Sequence, residues 1–168
     1  MTKAVEDRAA LRDLVVLYCR AVDRRDMALM RRVFHPDAFL DYGEAMFRGT
    51  LDNFIAASPK GMSAFAMTQH HVTNSYFEIN GDRAEGETYL VAYHVLTGHE
   101  QKLYIAGARY LDRFERRDGE WRIAHRTALR DWENESGNVA QPNVGRLDGG
   151  DLSYERLAMF GKAGAPAS

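Results

Sequence analysis

One stretch decides the fold, Met67-Thr68-Gln69-His70-His71-Val72-Thr73-Asn74-Ser75-Tyr76-Phe77-Glu78-Ile79, because the pattern of the chain changes there. The residues before it repeat apolar side chains at helical spacing, whereas those after it form strand-like segments joined by tight turns. The stretch also carries two adjacent histidines, His70 and His71, at the predicted start of a strand. Imidazole exchanges a proton near neutral pH, so this junction between helices and sheet is the first candidate for acid–base chemistry.

The composition is that of an ordinary globular domain. A chain of 168 residues is long enough for one domain with a sizeable core, and 45% of its residues are hydrophobic. The net charge of -2 gives no electrostatic footprint for nucleic acid or an anionic membrane. The lone Cys19 excludes an internal disulfide and indicates a reducing compartment. The absence of a signal-type or membrane-spanning apolar run predicts a cytoplasmic protein.

Two helices are predicted at the start of the chain. Apolar side chains recur at steps of three and four over residues 5–23, and Asp23 stands at the end of this helix. The helix dipole disfavours a carboxylate at that end. Asp26 is a suitable N-cap for a shorter helix over residues 27–34.

A small hairpin and a third helix are predicted before the junction. Two short segments on either side of Gly43 indicate the hairpin, and residues 51–57 indicate the helix. Pro59 is expected to interrupt that helix, together with Gly61. The apolar residues 62–67 fit a lid over a pocket and a turn facing the core equally well.

Four antiparallel strands are predicted after the junction. They cover residues 70–79, 83–96, 102–116 and 120–132. The turn Asn80-Gly81-Asp82 joins the first pair, and Arg117-Asp118-Gly119 joins the last pair. Strands of this length must bend, and Gly86 and Gly107 are the predicted bulge or kink sites.

This order of elements predicts an α+β fold. We expect a cone-shaped α+β barrel, in which a curved, mostly antiparallel sheet has the N-terminal helices over its concave face and a pocket between them. Asn, Gly, Ser and Asp become frequent after Trp132. The chain is therefore divided into a domain over residues 1–132 and a loop-rich C-terminal extension of it over residues 133–168. One short helix is predicted in the extension, at residues 152–160.

The motifs indicate chemistry without a cofactor. The sequence has no Gly-rich phosphate loop, no nucleophile elbow and no second cysteine. Adjacent His70 and His71 point to opposite faces of a strand, so they do not form a metal site together. No cofactor and no metal are predicted, which leaves acid–base chemistry.

Asp23 and His70 are the pair best suited to that chemistry. A carboxylate that fixes the tautomer of a histidine turns it into a base, which contributes roughly 10²–10⁴-fold to a proton transfer. Without catalysis, Asp23 would cap the next helix and His70 would be a hydrogen-bonded residue at a strand end. Periodicity does not decide which histidine faces the pocket. Because Phe77 and Ile79 share a face with His71, a core argument slightly favours His71.

Several segments together resemble a known family. They are residues 14–23, the turn at 34–38, the strand at 70–74 and the hairpin at 110–126. These resemble the SnoaL-like branch of the nuclear-transport-factor-2-like superfamily over about residues 5–132. Within that branch the sequence is most similar to the cofactor-free lyases scytalone dehydratase, bile acid 7α-dehydratase and hexachlorocyclohexane dehydrochlorinase.

The resemblance implies roles for particular residues. Asp23 and His70 take the catalytic positions, with His71 as the alternative or as a substrate-binding neighbour, and Tyr18 matches a catalytic tyrosine five residues before the aspartate. Tyr42 resembles a second pocket tyrosine, and Arg126 matches a substrate-binding arginine on the last strand. His94 does not convincingly match the second pocket histidine of scytalone dehydratase.

The resulting hypothesis is a cofactor-independent lyase of dehydratase type. Its substrate would be a small apolar or cyclic hydroxylated molecule, and isomerisation or cyclisation would need the same base. The alternatives are a non-catalytic small-molecule-binding or oligomerisation domain, and a structural partner of a larger oxygenase. The resemblance also implies a dimer or trimer. Apolar residues on both faces of segments 89–93 and 103–106 fit such a homo-oligomer.

Overall fold

The computed structural model of the chain describes residues 2–98, 102–135, 138–140 and 155–156. The helices and strands in these ranges follow the order α1 Lys3–Asp23, α2 Met27–Val33, β1 Phe34–Asp41, β2 Arg48–Thr50, α3 Leu51–Met62, β3 Phe65–Asn80, β4 Arg83–Leu96, β5 Leu103–Arg117, β6 Glu120–Glu135 and β7 Asn138–Ala140.

The strands form one curved, unclosed sheet in the order β2-β1-β6-β5-β4-β3, and β7 pairs with β6. All pairings are antiparallel except that between β1 and β6, which is parallel. The N-terminal helices pack on this sheet, so the predicted α+β fold is confirmed. Strand β3 lies at one edge of the sheet, and helix α1 packs against this strand.

Helix α1 is held at both ends. Leu11, Val15 and Ala21 on its apolar side are fully buried in the core. Near its start, Trp121 donates a 2.9 Å hydrogen bond to Asp7, which also forms an ion pair with Arg116. At its other end, Arg25 adopts a left-handed conformation and donates a 2.7 Å hydrogen bond to the backbone oxygen of Phe65. The end of α1 is therefore tied to the start of β3.

A bulge in β3 decides which histidine faces α1. Val72 pairs with Leu90 and Ser75 pairs with Thr88, so β3 contains one residue more than β4 over this interval. Because the extra residue reverses the alternation, buried Phe77 lies on the same face as His70. His71 is exposed on the other face, so the core argument that favoured His71 is wrong.

The third helix and the start of β3 differ from the expectation. Helix α3 continues through Pro59 to Met62, although proline removes one backbone hydrogen bond. Within the same helix, the Ser58 hydroxyl donates a 2.7 Å hydrogen bond to the backbone oxygen of Phe54. Of the segment predicted as a lid or a core-facing turn, residues 63 and 64 form a turn that is exposed, and β3 begins at Phe65. The hairpin formed by β1 and β2 is confirmed, as is the cap of α2, where Asp26 accepts a 2.9 Å hydrogen bond from Leu29.

The two glycines predicted as bulge sites have different roles. A register shift follows Gly107 in the pairing of β5 with β6, so that prediction is confirmed. No register shift occurs at Gly86, so a bulge is absent there. Instead, a Cβ atom at Gly86 would lie 2.5 Å from the ring of Phe77, so the missing side chain allows this ring to approach the backbone.

The C-terminal extension falls mostly outside the described residues. Residues 155 and 156 are helical, and the rest of the helix predicted over residues 152–160 lies outside the described part of the chain. The division of the domain at residue 132 stays a prediction. None of the helices in the described ranges is long and apolar enough to cross a membrane.

Candidate active site

Asp23 and His70 form a hydrogen-bonded pair where α1 meets β3. Nδ1 of His70 lies 2.6 Å from Oδ1 of Asp23, and the backbone N–H of His70 donates a 3.0 Å hydrogen bond to Oδ2. Thr68 Oγ1 donates a further 3.0 Å hydrogen bond to Oδ1. The side chains of His70 and Asp23 are only 8% and 13% exposed. The carboxylate is thus fixed by three contacts from one strand.

The surroundings of Asp23 favour its ionised form. Burial by itself would raise the pKa of this carboxyl, but the hydrogen bonds and charge of His70, with the hydrogen bond from Thr68, hold it below its ordinary value. An ionised Asp23 accepts the proton on Nδ1 of His70. A neutral imidazole in this tautomer has its lone pair on Nε2. Within the described residues Nε2 has no hydrogen-bond partner, so it can act as a base.

A second cluster consists of tyrosines around a buried arginine. The hydroxyl oxygens of Tyr18 and Tyr42 lie 2.6 Å apart. The guanidinium carbon of Arg126 lies 4.0 Å from the ring centre of Tyr18 and 3.9 Å from that of Tyr110. Arg126 is fully buried and donates two hydrogen bonds, of 2.7 and 2.6 Å, to Asp112. The stacked rings and the bidentate pair hold the guanidinium in one orientation.

The electrostatics of this cluster keep the tyrosines neutral and the arginine charged. Burial raises the pKa of Tyr18 and of Tyr42 well above the ordinary value, so both hydroxyls remain donors. Burial opposes the charge on Arg126, yet Asp112 holds the pKa of the guanidinium above its ordinary value. Nη1 of Arg126 is buried and has no hydrogen-bond partner among the residues that the structure describes. A buried donor without an acceptor costs about 1–3 kcal/mol, so an acceptor is expected at this atom.

His94 lies beside His70, although sequence reasoning set it aside. The two ring centres are 5.5 Å apart and the rings are nearly perpendicular. Burial and the neighbouring His70 lower the pKa of His94 to about 4, so its ring is neutral at physiological pH. The sequence contains a signal that His94 faces the interior, because it alternates along β4 with Ala92 and Leu90, which are both buried. The equally apolar residues on the other face of β4 obscured that signal.

A groove leads to the pair from the edge of the sheet. Its volume is about 500 Å³. It is lined by residues of α1 and β3, namely Val16, Cys19, Arg20, Asp23, Arg24, Gln69, His70 and Val72. The structure therefore places Asp23 and His70 in one groove.

The remaining predicted site residues occupy two other places. Tyr18, Tyr42 and Arg126 lie together in the interior cluster and do not line the groove. His71 belongs to neither set, because its exposed ring contacts Tyr93 on the outer face, with the ring centres 5.3 Å apart. Among the described residues, no group of three or more metal-ligating side chains is placed to hold a metal ion.

Comparison with solved structures of known proteins defines the fold class of this chain. A scytalone dehydratase-like protein from Novosphingobium aromaticivorans is 18% identical, with a TM-score of 0.74 over 86% of this chain and 97% of that one. Hexachlorocyclohexane dehydrochlorinase of type 3 from Novosphingobium barchaimii is 19% identical, with a TM-score of 0.72 over 83% of this chain and 97% of that one. These likenesses show a nuclear-transport-factor-2-like fold.

Comparison with family models assigns the chain to one family among those that share this fold. The model of the SnoaL-like domain matches residues 3–127, and the chain belongs to that family. Uncharacterized proteins of Mycobacterium tuberculosis and Mycobacterium bovis are 29% identical over 126 residues, which cover 73% of this chain and 84% of each relative. The fold is thus shared with proteins of dehydratase type.

Proposed function

We propose that the protein is a cofactor-independent lyase of dehydratase type, acting on a small apolar or cyclic hydroxylated substrate. The observation that carries this proposal is the 2.6 Å hydrogen bond between Asp23 and Nδ1 of His70 in the wall of an open groove. A carboxylate held in place by Thr68 and by a backbone N–H fixes the orientation of the imidazole.

The reaction begins at Nε2 of His70. This atom takes a proton from a substrate carbon, and Asp23 stabilises the imidazolium that forms. The electron pair of the broken C–H bond becomes the second bond of a carbon–carbon double bond, while the neighbouring C–O bond breaks. The departing hydroxyl group takes the proton from His70 and leaves as water, which returns the pair to its starting state.

Tyr18, Tyr42 and Arg126 are proposed to hold an oxygen of a substrate that extends past the groove into the interior cluster, because Tyr18 and Arg126 are buried and none of the three lines the groove. This role is supported by the composition of the interior cluster. The cluster contains two neutral hydroxyl groups, and Nη1 of Arg126 has no hydrogen-bond partner among the residues that the structure describes. A hydrogen bond from these groups to a carbonyl or hydroxyl oxygen would stabilise negative charge as the proton leaves. The same base and donors would serve an isomerisation or a cyclisation.

A homo-oligomer is proposed alongside this activity. Several large apolar residues on β4, β5 and β6 are 36–46% exposed: Tyr89, Tyr93, Leu103 and Trp132. Their exposure supports contact between copies of the sheet. An oligomerisation domain without catalysis would use the same surface, and it would not depend on Asp23 or His70.

The test is a screen of hydroxylated ring compounds for loss of water, followed by substitution of the pair. Asp23→Asn and His70→Ala are each expected to abolish turnover of the best substrate while the protein remains folded by circular dichroism. His71→Ala is the matched control, because it removes the adjacent histidine from the other face, and it should retain activity. Full turnover in a folded Asp23→Asn or His70→Ala protein would refute the mechanism.

A further inference from the structure

Two arginines line the groove that leads to Asp23 and His70. Arg20 lies in the last turn of α1 and Arg24 directly follows the helix, and both residues are exposed. Arg24 donates a 3.5 Å hydrogen bond to the backbone oxygen of Asp23. Neither arginine forms an ion pair with any residue in the described part of the chain. Both guanidinium groups are thus available to a ligand in the groove.

The charge of the groove is opposite to that of the whole chain. The chain carries a net charge of -2, whereas the charged lining residues are two arginines and one carboxylate. That carboxylate, Asp23, already accepts three hydrogen bonds from His70 and Thr68. Because Asp23 is ionised, it offsets only one of the two positive charges, and the groove keeps a surplus of one positive charge.

Apolar side chains line the same groove. Val16 on α1 is 48% exposed and presents an aliphatic side chain to the groove. Val72 lies across the groove on β3 and is half-buried against the core. A surface with aliphatic walls and two exposed guanidinium groups suits an amphipathic anion, because arginine binds carboxylates through two parallel hydrogen bonds.

We propose that Arg20 and Arg24 bind the carboxylate of a substrate whose apolar ring lies between Val16 and Val72. The substrate class is accordingly an aromatic or alicyclic carboxylic acid that also bears a hydroxyl group. This inference rests on the proposed lyase function for its biological use, because the groove is the same one that contains His70. The binding itself can be tested without any turnover.

Arg20 also has an ordinary structural role. A cation in the last turn of a helix interacts favourably with the helix dipole. Any variant that keeps a positive charge at this position would keep this contribution to stability. The interaction with the helix dipole does not make the protein bind a charged ligand more tightly than a neutral ligand of the same shape. Discrimination between such ligands is therefore the decisive measurement.

The experiment compares naphthalene-2-carboxylate with naphthalene-2-carboxamide, which share a ring and differ in charge. Each is titrated into the full-length protein, and backbone amide shifts of Val16, Cys19, Gln69 and Val72 are followed by NMR. The carboxylate is expected to shift these amides and to bind about tenfold more tightly than the carboxamide. The preference should shrink when salt is raised, because both arginines are exposed.

Substitutions then assign the preference to the two arginines. Arg20→Gln and Arg24→Gln are each expected to weaken binding of the carboxylate several-fold while leaving the carboxamide unchanged. Arg20→Lys keeps the charge without the bidentate geometry and should fall between the wild type and Arg20→Gln. Arg12→Gln is the matched control, since Arg12 is exposed on the same helix and lies outside the groove.

The outcomes separate this inference from the lyase proposal. Equal affinity for the two probes, no shifts in the groove, or the same loss in Arg12→Gln would each overturn the carboxylate site. The carboxylate preference should survive in His70→Ala, because the arginines are unchanged. Turnover of neutral substrates only, with intact dependence on His70, would leave the lyase mechanism standing and the carboxylate site refuted.

Discussion

Thr68 donates a 3.0 Å hydrogen bond to Oδ1 of Asp23, the same oxygen that lies 2.6 Å from Nδ1 of His70. Thr68 and His70 are two residues apart on β3, so both side chains face α1. The threonine therefore positions the carboxylate for the histidine, and it does not line the groove.

Replacing this threonine should weaken the pair without breaking the fold. Thr68→Val keeps the shape but removes the hydroxyl, so we expect a loss of about 1 kcal/mol of stability and a several-fold fall in kcat with little change in KM. Thr68→Ser restores the donor and should restore kcat. Urea unfolding and steady-state kinetics measure both effects. Equal kcat values for Thr68→Val and the wild type would show that Thr68 is dispensable for positioning.

The lowered pKa of Asp23 makes stability depend on acidity. A carboxyl group whose pKa is lower in the folded state binds fewer protons than in the unfolded state, so it stabilises the fold above its unfolded pKa of about 3.9. That contribution is lost as pH falls through the lower folded value. We expect the free energy of unfolding of the wild type to approach that of Asp23→Asn as the solution is acidified through this range.

The pH measurement needs a matched carboxyl group as a control. Asp13 is exposed on the same helix, and Asp13→Asn should show the acid dependence of the wild type. A constant difference in unfolding free energy between the wild type and Asp23→Asn across the acid range would contradict the lowered pKa.

Two glycines should respond in opposite directions to the same substitution. A Cβ atom at Gly86 would lie 2.5 Å from the ring of Phe77 and 3.0 Å from that of Phe114, both of which are buried. Gly86→Ala is thus expected to cost about 1–3 kcal/mol of stability. Gly61 lies in α3, where a Cβ atom would meet open space within 4 Å, so Gly61→Ala should stabilise by about 0.4–1 kcal/mol.

Thermal unfolding of the two variants checks this prediction. A neutral Gly86→Ala would mean that the Phe77 ring moves aside at little cost. A destabilising Gly61→Ala would mean that the helix end around Pro59 does not tolerate a side chain at that position.

The buried ion pair of Arg126 and Asp112 should dominate stability in the interior cluster. Arg126→Met leaves the Asp112 carboxylate buried without its partner, which is expected to cost about 3–5 kcal/mol. The double variant Arg126→Met, Asp112→Leu removes both charges and should recover much of that loss. Urea unfolding measures the two variants, and a double variant no more stable than Arg126→Met would contradict the prediction.

Activity separates the structural role of Arg126 from its proposed contact with the substrate. If Nη1 holds a substrate oxygen, the folded double variant should remain inactive although its stability is restored. Full activity in that variant would remove Arg126 from the proposed mechanism.

Much of the fold was predictable because the relevant signals are local. The ends of β4 at Arg83 and Leu96 agree with the sequence prediction, since the tight turn Asn80-Gly81-Asp82 marks where this strand begins. Helix α1 ends at Asp23, as its apolar spacing indicated. The prediction is wrong at Pro59, because the helix continues to Met62 although proline removes one backbone hydrogen bond.

The candidate site was only partly predictable. Asp23 and His70 are hydrogen-bonded as proposed, although their catalytic roles stay a prediction. The neighbouring His94 was dismissed, because both faces of β4 carry apolar side chains and alternation alone does not rank them. The pairing of Arg126 with Asp112 joins two strands, and no local pattern distinguishes it from a surface ion pair.

The sequence by itself determined the order of helices and strands, because helical spacing, strand alternation and turn residues are properties of short segments. Only the tertiary structure decided which histidine meets Asp23. The pairing of β3 with β4 accommodates one extra residue between Val72 and Ser75, and this bulge reverses the faces on either side of it. A one-residue shift leaves the composition of the strand unchanged while it moves every later side chain to the opposite face, so it is visible only when the two strands are paired.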